Sequence, residues 1–85
     1  SIQDFSNIIK QKGEYQMYTY DPLWETMKKR GINTYMLVNH YKVSSHLMSN
    51  LRHNRNVTMN TIDLLCQILD CNIEDIVEFK KKEHP

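Results

Sequence analysis

Apolar positions recur along the chain at helical intervals, and a short polar residue stands before most of the runs they form. Leu23, Trp24 and Met27 line one side of a first helix, which Asp21 is placed to cap and Pro22 to enter at its first position, where no amide bond is lost. Gly31 is the expected left-handed stop of that helix, with Ile32 folding back on it. Asn33 heads a second helix whose inner side is predicted to hold Leu37, Val38 and Tyr41. After the short turn Lys42-Val43, Ser44 caps a third helix with Met48 and Leu51 pointing inward. Thr58 caps a fourth, where Ile62, Leu65, Cys66 and Leu69 follow the i, i+3, i+4, i+7 rule. Asn72 and Asp75 have capping-box spacing for a fifth helix, with Ile76, Val77 and Phe79 inside.

Upstream of these runs the pattern changes. Ile2, Phe5, Ile8 and Ile9 would form one apolar stripe on a short helix stopped by Gly13, and the segment 14–20 has the aromatic, β-branched character of a strand. Residues 1–20 are therefore expected to be an N-terminal extension, either an arm that packs on the domain or on another subunit, or an ill-ordered leader. Residues 21–79 form the predicted domain and 80–85 a charged, solvated tail. The expected fold class is all-α with five short helices. The tight turn between the second and third gives the geometry of a helix-turn-helix.

Composition narrows the function. A chain of 85 residues makes one small domain with no room for a large active-site cleft. It has no apolar run long enough to span a membrane and no signal-peptide core, so no membrane partner and a cytoplasmic location are expected. Four residues lie between Cys66 and Cys71, a spacing that fits neither a redox pair nor half of a common zinc site, and both fall on apolar positions. Reduced core thiols are the expectation. His46 and His53 are two turns apart, too far to share an ion on one helix face, so no metal is expected. With no phosphate-cradling glycine loop and no Cys/His or Ser/His pair placed beside an orienting carboxylate, neither catalytic residues nor a cofactor are expected.

The net charge is only +1, but its signs are sorted along the chain. Between Thr26 and Ile62 the charged residues are Lys28, Lys29, Arg30, Lys42, Arg52 and Arg55, with no acid among them. Between Asp63 and Glu78 they are Asp63, Asp70, Glu74, Asp75 and Glu78, with no Lys or Arg. The middle of the domain should therefore carry a positive potential, for which a polyanion is the first partner to consider and a merely solvated face the alternative. On the third helix Ser45 and His46 occupy the first turn and Ser49 and Asn50 the next, all projecting from one end. Asn can pair with adenine N6 and N7, His can donate to guanine N7 or O6, and Ser adapts to several base edges. Leu47 is a candidate for a thymine methyl contact or for partial burial in the core.

The segments Tyr20-Asp-Pro-Leu-Trp-Glu-Thr-Met27, Val43-Ser-Ser-His-Leu-Met-Ser-Asn-Leu-Arg-His-Asn54, Thr61-Ile-Asp-Leu-Leu-Cys-Gln-Ile-Leu-Asp-Cys71 and Asp75-Ile-Val-Glu-Phe79 stand in an order and spacing that carry a family resemblance. From about Tyr20 to Phe79 the chain resembles small bacterial regulators of the Cro/Xre-like (phage lambda-repressor-like) helix-turn-helix family. The resemblance implies a five-helix DNA-binding domain that regulates transcription without chemistry. Its third helix, about Ser45 to Arg52, would enter the major groove, commonly as a homodimer on a two-fold double-stranded operator. It also implies base contacts from Ser45, His46 and Asn50, and phosphate contacts from Asn33, Thr34 and Ser44. Arg52, His53, Arg55 and Asn56, near the end of the third helix and in the loop after it, match positions that touch the DNA backbone, and Lys42 would add to the same term. Two positions depart from the family pattern: Lys42 stands where Gly is frequent, and Val38 where a small residue is usual. A protein-interaction module built on the same fold is the rival expectation, motivated by the N-terminal arm and the acidic C-terminal surface.

Overall fold

The computed structural model describes residues 17–80. The apolar stripe Ile2 to Ile9, Gly13, the segment 14–16 and the tail beyond Lys80 lie outside the described residues. The domain contains four α-helices, a 3-10 turn and a two-stranded sheet in the order β1 (Tyr18–Thr19), α1 (Asp21–Arg30), α2 (Thr34–Asn39), α3 (Ser45–Arg52), α4 (Met59–Leu69), the 3-10 turn (Ile73–Asp75) and β2 (Glu78–Phe79).

Local chemistry sets most of these boundaries. The side chains of Asn33, Ser44 and Thr58 accept hydrogen bonds from the backbone amides of Met36, Leu47 and Thr61, at 2.9, 3.0 and 3.2 Å, so each predicted N-cap is in place. Gly31, at φ 69°, ends α1 as expected: its amide donates to Lys28 O and that of Ile32 to Met27 O, the two bonds of a Schellman close. Asp21, by contrast, is the first residue of α1 and not its cap. The chain enters from Tyr20, and the Asp21 amide donates to Thr19 Oγ1 at 3.1 Å. The Asp21 carboxylate instead contributes negative charge to the first turn of α1, where the helix dipole favours it.

The inward faces meet in one core. Leu23, Leu37, Met48, Leu51, Leu65, Leu69 and Ile76 are almost wholly enclosed, with Met27 and Ile62 beside them. Each such side chain contributes about 1.5–3 kcal/mol through burial. Trp24, Val38, Leu47 and Cys66 pack against this cluster while half-buried. Tyr20 and Val43 also belong to it, at 2% and 3% exposure. The buried Thr26 hydroxyl donates to Asp75 O at 2.7 Å and joins α1 to the 3-10 turn. Arg30 donates to Asp70 O at 2.8 Å, spending its guanidinium on the carbonyl of the residue that closes α4.

Two expectations fail for tertiary reasons. Among the described residues no fifth helix forms. The Asn72 amide does donate to Asp75 Oδ2 at 3.1 Å, as the capping box requires, but only the 3-10 turn follows it. Glu78 and Phe79 then pair antiparallel with Thr19 and Tyr18, and the ladder is extended by the Lys80 amide donating to Met17 O. An extended backbone replaces helical spacing, so Ile76 is buried and Val77 half-buried while Phe79 stands 69% exposed. Tyr41 was expected inside and is 41% exposed, because α2 ends at Asn39 and a helical projection no longer describes residue 41.

Cys66 and Cys71 are free, half-buried thiols packed on the core. Burial, reinforced by the neighbouring Cys66, pushes the Cys71 thiol up to about 11 from an ordinary value of 9.0. A raised pKa means less thiolate at a given pH. Alkylation of Cys71 by iodoacetamide at pH 8, followed by mass spectrometry, is therefore expected to run about 10-fold or more slower than that of a free cysteine peptide. Equal rates would refute the enclosure of that thiol. Among the described residues no helix is long and apolar enough to cross a membrane.

Candidate nucleic-acid interface

Two consecutive capped helices define the candidate surface. α2 and α3 are joined by residues 40–44, and this turn is fastened by the Val43 amide donating to Leu37 O at 2.9 Å and by the His40 and Tyr41 amides donating to Met36 O. Lys42, which stands where Gly is frequent in the family it resembles, has φ 62°, a left-handed conformation that Gly adopts without strain. A non-glycine residue there carries about 1–2 kcal/mol of strain, offset by the buried Val43 that follows. Val38 fits half-buried against the core without displacing Leu37.

Inward anchoring of α3 by Met48 and Leu51 leaves its other sides to solvent. Ser45 and His46 are exposed in its first turn; Ser49 and Asn50 are half-buried one turn later. Leu47 is half-buried against the core, so only part of its side chain remains for a ligand. Ser44 and Asn33 are exposed at the heads of α3 and α2. Each cap accepts a backbone bond through oxygen, which leaves the Ser44 hydroxyl proton and the Asn33 NH2 protons able to donate outward. Thr34 is half-buried at the start of α2.

The cations lie around this helix. Lys42, Arg52 and Arg55 are all exposed, and among the described residues the ion pairs found are Lys80–Asp21 at 3.5 Å and Lys80–Glu78 at 3.7 Å, neither of which involves them. His53 closes α3, with its Nδ1 donating to Ser49 O at 2.9 Å. Asn56 is exposed in the following loop. The candidate surface is thus a set of donors and cations at both ends of α3, with the Asp21 carboxylate sharing a surface depression with His53 and Asn54, and among the described residues no cluster of His, Cys, Asp or Glu could hold a metal.

Three features of this surface escaped the sequence reading. Asn54, at φ 55°, is the left-handed close of α3: its amide donates to Leu51 O at 3.4 Å and that of Arg55 to Asn50 O at 2.8 Å. The signal was present, since Asn is the residue after Gly that best tolerates this conformation. Tyr20 reaches the same loop from the far end of the sequence, its amide donating to Asn54 Oδ1 at 3.0 Å and its hydroxyl to Arg55 O at 2.6 Å. Burial and the nearby Tyr18 ring hold the Tyr20 hydroxyl above its ordinary pKa, so it remains a donor. No local pattern announces that contact. Tyr35, 67% exposed beside Thr34, adds a phenol at the start of α2.

A short helix, a tight turn and a second helix that keeps its polar and cationic sides uncovered define a helix-turn-helix domain. Residues 22–82 match the Cro/C1-type HTH DNA-binding domain, and the chain belongs to that family. The crystal structure of the transcriptional regulator VanUg, form II, has the same fold: the TM-score is 0.70 at 25% sequence identity, covering 81% of this chain and 95% of that one. No curated protein matches the chain.

Proposed function

We propose that residues 21–79 form a sequence-specific reader of double-stranded DNA that regulates transcription by occupying an operator. In this reading α3 enters the major groove, where Ser45, His46, Ser49, Asn50 and the exposed part of Leu47 face base edges. Asn33, Thr34, Lys42, Ser44, Arg52, His53, Arg55 and Asn56 face phosphates, and Tyr35 joins them. A two-fold operator read by a homodimer is part of the proposal. The observation that carries it is the uncovered side of α3, whose exposed His46, Arg52 and Arg55 have no carboxylate partner among the described residues. The likeness to VanUg, a transcriptional regulator, supports the same reading.

Base and phosphate roles separate by mutation. With a duplex selected from random sequence, Asn50→Ala is expected to relax preference at one or two base pairs and cost about 1–3 kcal/mol on that duplex alone. Arg55→Ala is expected to weaken selected and random DNA alike. Equal behaviour of the two variants on both duplexes, in a fluorescence-anisotropy titration, would overturn the division of roles. A protein-interaction module is the second reading, favoured by the exposed apolar side chains Met59, Leu64, Ile73 and Phe79 near the acidic C-terminal half. One stoichiometric protein partner together with no affinity for any duplex would select it.

A further inference from the structure

We infer that Tyr20 is a positioning residue for the phosphate contact of Arg55, an inference that rests on the DNA-binding reading above. Both backbone groups of Arg55 are held: its amide by Asn50 O at 2.8 Å, and its carbonyl by the Tyr20 hydroxyl at 2.6 Å. The residue before it is held as well, since Asn54 Oδ1 takes the Tyr20 amide at 3.0 Å while Asn54 itself is in the left-handed conformation. Tyr20 is a rigid source for these bonds, being 2% exposed and set edge-on to the Tyr18 ring at 5.7 Å. The Arg55 side chain is exposed, so this fixed backbone sets the point and direction from which the Cα–Cβ bond leaves the surface, and with it the region its guanidinium can reach.

A loop ordered before the ligand arrives loses less conformational freedom on binding, and the gain appears as affinity. The same ring of bonds joins Arg55 to Asn50, so a proposed phosphate contact and a proposed base contact are held in one register. Tyr20 touches neither base nor phosphate in this scheme. It acts through Arg55, from a segment 35 residues away in sequence.

The test compares the full chain with Tyr20→Phe, Arg55→Ala and the double variant, measuring affinity for a selected and a random duplex over a range of salt. Tyr20→Phe is expected to weaken both duplexes by about 3- to 10-fold and to flatten the log-log salt slope by about 0.9 per subunit. In the Arg55→Ala background it should change nothing further. Asn54→Gly keeps the left-handed backbone but removes the acceptor for the Tyr20 amide and loosens the same loop, so it should shift affinity and salt slope in the same direction if Tyr20→Phe does not fold. Wild-type affinity and salt slope in Tyr20→Phe, or in Asn54→Gly where Tyr20→Phe does not fold, or losses that add fully to that of Arg55→Ala with an unchanged salt slope, would overturn the positioning role and leave the DNA-binding reading intact. A wild-type chain that binds no duplex would overturn that reading and this inference with it.

Discussion

Leu51→Ala is expected to remove about 2–5 kcal/mol of stability, enough to leave much of the protein unfolded near body temperature. Leu51 has 0% exposure and fastens the last turn of α3 to the core, so truncation leaves a cavity that only α3 itself could collapse to fill. A domain of this size holds roughly 4–10 kcal/mol in total, and each kcal/mol lost lowers the melting temperature by about 4–8 °C. Circular dichroism on heating, or in urea, measures the change directly. Leu64→Ala is the control: that side chain is 42% exposed on α4, and its loss should stay within about 1 kcal/mol. Equal losses from the two variants would contradict the burial pattern.

The second large effect is electrostatic. If each subunit neutralises roughly four phosphates, a dimer should show a log-log salt slope of about −7. Raising salt from about 50 to 200 mM then lowers affinity by about 10⁴-fold, while a monomer on half a site would give a slope near −3.6 and a far smaller loss. The same titration therefore tests polyanion binding and stoichiometry together. Affinity indifferent to salt, on any duplex, would remove the case for DNA as the partner, because exposed Lys42, Arg52 and Arg55 would then have no phosphate to answer to.

Features encoded within a few residues were legible from the sequence, and features made by distant pairing were not. Asn33, Ser44 and Thr58 act as caps because the amide each one satisfies lies three residues away. Gly31 adopts the left-handed conformation for an equally local reason, having no Cβ to oppose it. The buried sides of α1, α3 and α4 follow from helical spacing. The expected fifth helix instead yields to pairing of Phe79 with Tyr18, across 61 residues of chain, which no helical periodicity near Asn72 could reveal. Tyr20 has the same lesson at the candidate site. Its aromatic character suggested a strand, and only the folded chain shows its amide and hydroxyl meeting Asn54 and Arg55. The acid-free run from Thr26 to Ile62 maps onto the helix-turn-helix segment, where Ser45, His46, Arg52 and Arg55 are left exposed.

The antiparallel pairing of β1 with β2 brings the points where the chain enters and leaves the domain side by side. Tension applied to the two flanks would pull this seam apart one bond at a time, like a zipper and not like a shear joint. The next bonds to feel the load would be those of Tyr20 to Asn54 and Arg55. A mechanical pull on the two strands would thus reach the loop behind α3 through Tyr20 and the core through the buried Ile76.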